Sequence, residues 1–463
     1  MSRHPRRSTA LFALLAVTGC GTNAVPSALP SPASTASHAV VEPTNEERAF
    51  DADADRLRAD LATLQRIADE NGGIRAVGTP GFDASVDAMA AELEDIGFEV
   101  TLQEVPYTGF REIGASLTVG DRTFAAPEEL HALIYSASGV VAGAVAMLDG
   151  SGCDPNDFAG IPDGAIAVTV LGGCFRRDQA LNAQAAGAAA LVVGYPGRGP
   201  GQIYRPTLID PAGIDIPVVS ITDDGIAALD AADGRSAHLE VRTEREPDTL
   251  RNVIGELGDG PAVLMLGGHL DSVLDGPGLN DNASGVAALL EIGRALAAEG
   301  VPDGWTVRIG LWGGEEFGDI GSRAYVESMA GEMEAYLNLD MAGSLHGAAL
   351  VYDEAAAPPG SDRITELYEA VLADRGVTSE RVDIGGSSDH FAFMQAGVPS
   401  GGLFAGAGET GSAAQPSASS PGGEAPDACY HLACDDIDNV DVERVALFAG
   451  ATHDVAVALM SGG

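Results

Sequence analysis

Short apolar runs that end on a carboxylate or an imidazole constrain this chain more than any other feature. VLMLGGHLDS (Val263 to Ser272), VRIGLWGGEE (Val307 to Glu316) and AYLNLDM (Ala335 to Met341) are three such runs, and NASGVAALLEIGRALAAEG (Asn282 to Gly300) between them has helical periodicity. Strands alternating with helices indicate an open α/β sheet, in which ligands bind in the crevice outside the carboxyl ends of the strands. His269, Glu315, Glu316 and Asp340 fall at those ends. Asp281 stands just before the helix expected to open at Asn282, where the helix dipole favours a carboxylate. His431, in CYHLAC, joins them to make a set of six.

That set has the composition of a two-metal hydrolytic centre. Catalytic zinc takes mostly nitrogen and oxygen ligands and keeps one position for water, and none of the six is Cys. Charge supports two ions: Asp281, Glu316, Asp340 and one hydroxide would cancel the four charges of two Zn²⁺, with His269 and His431 ligating as neutral imidazoles. Glu315 is then spare, and a carboxylate beside the reacting water but not tied to metal suits a general base. On a regular strand Glu315 and Glu316 would face opposite sides. Both reach one site only if the strand ends there, as the Gly313-Gly314 pair suggests, and the residues alone leave open which is ligand and which is base. A lone HxD or EE pair is usually an ordinary loop feature, whereas five pieces in order are not. His4, His38, His131, His238, His346 and His453 read as ordinary surface or core histidines; His390, in SSDHFAF, is an alternative ligand.

HLDS, NDNASG, WGGEE, NLDM and CYH, in this order and spacing, resemble the zinc aminopeptidases of the M28 family, especially the secreted Streptomyces type. NGGIRAVGTPGFDASVDAMAAELEDIGFEV (Asn71 to Val100) extends the resemblance, which covers most of the chain outside one insert. It implies the zinc-exopeptidase fold, α/β with a mixed β-sheet flanked by helices. It implies two Zn²⁺ with His269, Glu316, Asp340 and His431 as terminal ligands and Asp281 as the bridge. It makes Glu315 the base, Asp271 the partner that orients His269, and Tyr430 a donor to the tetrahedral oxyanion. Outer carboxylates commonly fix the tautomer of a ligating imidazole, and Asp271, two residues along a strand from His269, points to the same face. The resemblance gives the ligand role to His431 rather than His390. Phe404 aligns with an apolar wall of the specificity pocket and Met341 follows a ligand, which suggests a large apolar N-terminal residue in the substrate. Two departures stand out. Ser387 occupies the place of an Arg in the Streptomyces-type loop, so one contact to the substrate carbonyl is missing or moved. The carboxylates that hold calcium in some relatives fall on Ala446 and Gly450, and no calcium site is expected there.

From about Phe110 to Glu246 the texture changes to short Val/Ala/Gly-rich strands and turn signals with no set of residues that looks catalytic. Gly150 to Val193 resembles the protease-associated domain through Gly152-Cys153, Asp157-Phe158, the AIAV strand, Gly173-Cys174-Phe175 and the helix Asn182 to Ala190. The expected organisation is a peptidase domain over 48–109 and 247–463, the latter carrying the metal site, with a β-rich protease-associated insert over 110–246. The insert is either a substrate-selecting wall or a stable addition outside catalysis.

Arg3, Arg6 and Arg7 precede a short apolar run, Leu11 to Val17, far below the ~20 residues a spanning helix needs, so residues 1–19 read as an export signal. Val17-Thr18-Gly19-Cys20 resembles the bacterial lipobox, which implies lipidation of Cys20; the bland alternative is a plain secretory signal. Residues 20–47 are Ser/Pro/Ala-rich and read as a tether. The expected location is the extracytoplasmic side of the cell membrane, held there only through the lipid. Four further cysteines make two disulfides the economical reading, Cys153 with Cys174 and Cys429 with Cys434, because each pair lies in one local segment and the second would clamp the loop presenting His431; free thiols are the alternative for the second pair. A formal charge of −43, from 68 acidic and 25 basic residues, argues against nucleic acid or an anionic membrane surface as partner. The 463 residues, 45% hydrophobic, suffice for two or three domains, and a monomer acting on peptides is expected.

Three functions compete: a dizinc aminopeptidase, another chemistry on the same scaffold such as a carboxypeptidase or glutaminyl cyclase, and an inactive receptor-like binding protein. The intact donor set speaks against the third, and the motif match, CYHLAC included, favours the first.

Overall fold

A computed structural model of the protein describes residues 49–195, 203–329, 333–408 and 425–462. The expected export signal, the tether and Cys20 lie outside the described residues. The peptidase part of the sheet runs, in spatial order, Ser379–Val382, Ala349–Tyr352, Ser400–Phe404, Ala335–Leu339, Ala262–His269, Trp305–Trp312 and Ser236–Gly258. The four strands from Ser400–Phe404 to Trp305–Trp312 are mutually parallel. Their outer neighbours Ala349–Tyr352 and Ser236–Gly258 pair antiparallel, so the sheet is mixed, as expected.

Parallel strands are covered on both faces, and these show it residue by residue. Along Ala262–His269, Leu264 and Leu266 join the main core with Leu289 and Leu290 of the helix Ser284–Glu299, while Val263 and Met265 join Trp312, Tyr325 and Phe393 on the other face. Residues 284–293 of helix Ser284–Glu299 are all buried, which is why the sequence there is apolar on every side apart from Glu291 rather than striped. Helices Ala54–Glu70 and Val442–Met460 pack beside it. Both are capped from sequence: Asp53 accepts from the amides of Asp55 and Arg56, and Asp441 accepts from Arg444. Among the described residues no helix is long and apolar enough to cross a membrane.

Two differences from the sequence reading are informative. The central helix opens at Ser284 rather than Asn282, because Asp281 (φ −111°, ψ 86°) and Asn282 (φ −135°, ψ 40°) are not helical. Asn282 is used instead as a tie: its amide nitrogen donates to Leu339 O (2.9 Å) and its oxygen accepts from Gly285 N (3.0 Å) and Met341 N (3.1 Å). Second, the insert does not begin with short strands. Glu99–Val119 and Ser236–Gly258 form one antiparallel ribbon of 21 and 23 residues, and Phe110 pairs with Arg245 in its middle. One end of Ser236–Gly258 pairs with Trp305–Trp312 and the other with Gly139–Met147, so the sheet continues into the insert strands Ile166–Val170, Ala190–Gly194, Val218–Ile221 and Leu130–Ala132. Cys153 and Cys174 are disulfide-bonded there.

Candidate metal centre

Three strand ends and two loops deliver the six side chains to one place. His269 is the last residue of its strand, and Asp340 follows Leu339 directly. The strand before Glu315 stops at Trp312, and Gly314 adopts φ 77°, a left-handed turn that frees both glutamates from strand alternation. Met341 (φ 54°) and His431 (φ 59°) sit in the same left-handed region, which costs a side-chain-bearing residue ~1–3 kcal/mol and persists only where neighbours impose it.

Asp281 stands between two halves. Its Oδ1 lies 3.1 Å from His269 Nε2, which is itself 3.4 Å from Asp340 Oδ1. Its Oδ2 lies 3.0 Å from His431 Nε2, which is 3.2 Å from Glu316 Oε2. Among the described residues the groups able to hold a metal ion are His269–Asp281–Asp340, Asp281–Glu316–His431 and His269–Glu315–Glu316, each with ligand atoms within 4.8 Å of one another. His390 belongs to none of them and turns to Glu354, 3.3 Å away. Asp340 Oδ1 and Glu316 Oε1 are buried and take no hydrogen bond among the described residues.

Asp271 does more than the sequence reading expected. His269 Nδ1 meets the Asp271 backbone carbonyl at 3.1 Å, with the carboxylate farther off at 3.7 Å. The buried carboxylate accepts instead from Gly314 N (2.9 Å) and Glu315 N (3.2 Å), and so fixes the turn that presents Glu315. Sequence reasoning also missed Asp427 and Asp435, which flank His431. Asp435 accepts from the amides of Asn280 (2.9 Å) and Asp281 (3.1 Å), and Asp427 accepts from Asn280 Nδ2 (2.6 Å). They tie the Asp281 turn to the loop that carries His431, a loop closed by the Cys429–Cys434 disulfide. The DxC and CD pattern around the two cysteines was the available signal.

The electrostatics are those of a crowded acidic cleft. Burial pushes the Glu315 carboxyl well above the carboxylate range, with His269 opposing. Burial carries Glu316 up to about 7 against the pull of His431. Burial alone would depress His269 and His431, but Asp340 and Glu315 beside the first, and Glu316 beside the second, hold both well above the usual imidazole value. Asp281 is also buried, yet the two imidazoles keep it well below its ordinary value.

A cavity of about 300 Å³ opens over this cluster. Met341, Tyr352, Phe404 and Ile384 form its apolar side, and Ser387 lies at its edge. The insert supplies another wall with Tyr204, Arg205 and Thr207, residues the sequence reading passed over. Tyr430 and Tyr204 pack against His431 with ring centroids 3.9 and 5.0 Å away, and against each other at 6.3 Å.

Comparison with known proteins gives a consistent picture. The model of Peptidase family M28 matches residues 252–456 and that of the PA domain matches 138–229. An aminopeptidase of Pseudomonas aeruginosa is 36% identical over 421 residues, 84% of this chain and 78% of its own length. A Mycobacterium tuberculosis protein named "Probable lipoprotein aminopeptidase" is 36% identical over 417 residues, 85% of this chain and 82% of its own length. Among solved structures, a zinc aminopeptidase of Bacillus subtilis superposes with a TM-score of 0.69 at 25% identity, covering 89% of this chain and 96% of its own.

Proposed function

The chain belongs to peptidase family M28 and is a metallo-aminopeptidase, and we propose that it releases large apolar N-terminal residues from peptides at a two-zinc centre bridged by Asp281. The observation that carries the two-ion reading is Asp281 itself, whose two oxygens each face a different imidazole–carboxylate pair. Among the described residues the donors suit zinc: imidazole nitrogen and carboxylate oxygen with no thiolate, and two buried carboxylate oxygens left without hydrogen bonds. His269 and Asp340 would hold one ion, Glu316 and His431 the other, and Asp281 both.

When bound, two zinc ions would supply Lewis acidity toward the scissile carbonyl and a lowered pKa for water. The chain's own residues do the rest. Glu315 takes the proton of the attacking water and passes it to the leaving amine. Asp271, gripping the Glu315 amide, keeps that carboxylate aimed. Tyr430 lies against His431 and donates its hydroxyl to the oxyanion. Met341, Tyr352 and Phe404, with Leu350 and Val382 behind them, offer the substrate's first side chain an apolar seat. Ser387 cannot provide the guanidinium contact that an Arg would. The peptidase domain spans 48–109 and 247–463 around the insert 110–246, and the chain is exported and held at the membrane by lipid on Cys20.

Cleavage of Leu-, Arg- and Glu-anilides beside C-terminally free dipeptides, before and after chelation and zinc add-back, tests this. Leu-anilide should be cleaved fastest, and only by metal-loaded protein. Faster cleavage of the Arg- or Glu-anilide would end the apolar reading, and unchanged activity after chelation would end the metal one. Cys20→Ala should release the protein from membranes; identical partitioning would remove the anchor.

A further inference from the structure

We infer that the insert completes the active site, with Tyr204 acting as a positioning residue for His431. The inference rests on the metal-centre reading above and assigns it a residue from outside the peptidase domain. Metal-ligating imidazoles are normally oriented through their second ring nitrogen. His269 has that partner, the Asp271 carbonyl at 3.1 Å. His431 does not: its Nδ1 is buried and takes no hydrogen bond among the described residues.

What sets the ring is aromatic packing by two tyrosines that also touch each other, their centroids 6.3 Å apart. Tyr430 lies 3.9 Å away at 31°, and Tyr204 stacks at 5.0 Å and 27°. Tyr195, also of the insert, backs Tyr204 edge-on at 5.0 Å and 74°. Stacks of this geometry confer orientation as well as burial.

Tyr204 can orient another residue only if it is itself held, and the next residue holds it. Arg205 Nη2 lies 3.0 Å from Asp275 Oδ1, 3.2 Å from Glu112 Oε2 and 2.7 Å from His131 Nδ1, with its side chain only 10% exposed. Asp275 stands on the loop that follows His269, so this cluster locks the Tyr204 segment onto the catalytic domain. Two residues on, Thr207 Oγ1 donates to Phe317 O (3.2 Å), just past Glu316. The segment is thus fastened twice, at Arg205 and at Thr207, just after Tyr204 and beside the metal ligands.

Zinc affinity, the visible spectrum of the Co²⁺-substituted protein and the melting temperature of the metal-free protein should be measured for full-length wild type, Tyr204→Phe, Tyr204→Ala and Asp275→Asn. Tyr204→Ala should weaken zinc binding ~10–100-fold, the usual worth of an outer partner of a ligand. It should shift the cobalt bands while leaving metal-free melting near wild type. Tyr204→Phe, which keeps the ring, should restore both, and Asp275→Asn should move them in the same direction as Tyr204→Ala. Wild-type zinc affinity and spectrum in Tyr204→Ala, or a Tyr204→Phe as impaired as the alanine variant, would overturn the inference alone. A wild type that binds no zinc would overturn the metal centre and the inference with it.

Discussion

Replacing each of the adjacent glutamates by glutamine separates their roles. Glu316 Oε2 is 3.2 Å from His431 Nε2 in a buried group of three donors, so Glu316→Gln removes one charged donor of three from that half. Glu315 is different. Asp271 grips its backbone amide, not its carboxylate, so a glutamine there stays in place and keeps the shape of the site. What it loses is proton transfer, worth ~10²–10⁴ in rate, or about 2.7–5.4 kcal/mol at about 1.36 kcal/mol per decade. Glu315→Gln should therefore keep wild-type metal content and KM while kcat for Leu-anilide falls by that factor. Glu316→Gln should emerge from dialysis depleted in metal. Elemental analysis of the purified variants beside anilide kinetics decides it. A metal-depleted Glu315→Gln beside a metal-replete Glu316→Gln would reverse the assignment, and a Glu315→Gln of full activity would refute the base.

Three further outcomes follow from the geometry. Asp271→Ala orphans the Gly314 and Glu315 amides at about 1–3 kcal/mol each, so both melting temperature and kcat should fall, with Asp271→Asn recovering part because an amide oxygen still accepts. Buried Arg75 donates to the carbonyls of Leu270, Pro277 and Gly278, of which, among the described residues, only Gly278 keeps another donor, Ala283 N. Arg75→Met should then cost about 2–6 kcal/mol against a whole-protein stability of about 5–15, visible as a large drop in melting temperature; an unchanged melting temperature would show that the loop does not need the guanidinium. Asp454 is half-buried, which alone would raise its pKa, but His453, Arg375 and the Phe50 amide hold it below the ordinary 3.8. That stabilisation is present above pH 3.8 and is lost as pH falls through the lower folded value, so the melting gap between wild type and Asp454→Asn should close in acid; a gap that persists would exclude the carboxylate as its source.

How much of this was legible in the sequence depends on how local each feature is. The strand-end residues were readable because a short apolar run fixes where a strand lies and therefore where its carboxyl end delivers His269, Glu315 or Asp340. Both disulfides were readable because each closes a short loop. The late start of the central helix was not, since Asn282 spends its side chain on Leu339 and Met341, partners far along the chain that periodicity cannot see. The long ribbon was hidden because its strands pass from one part of the sheet to the other with alternating, half-exposed residues that give no continuous apolar run. Tyr204 and Arg205 were invisible for the same reason at larger scale. Their meaning lies in Asp275 and His431, 70 and 227 positions away, and nothing in the neighbouring residues announces it.

The central claim is that Asp281 joins two ions in one hydrolytic centre, and zinc titration of the metal-free protein tests it most directly. Equilibrium binding and Leu-anilide cleavage should be followed on the same samples. Binding should saturate at two zinc ions per chain, and Asp281→Asn should impair both rather than one. Saturation of binding at a single ion with full activity, or an Asp281→Asn that still binds two ions as tightly as wild type, would contradict the account.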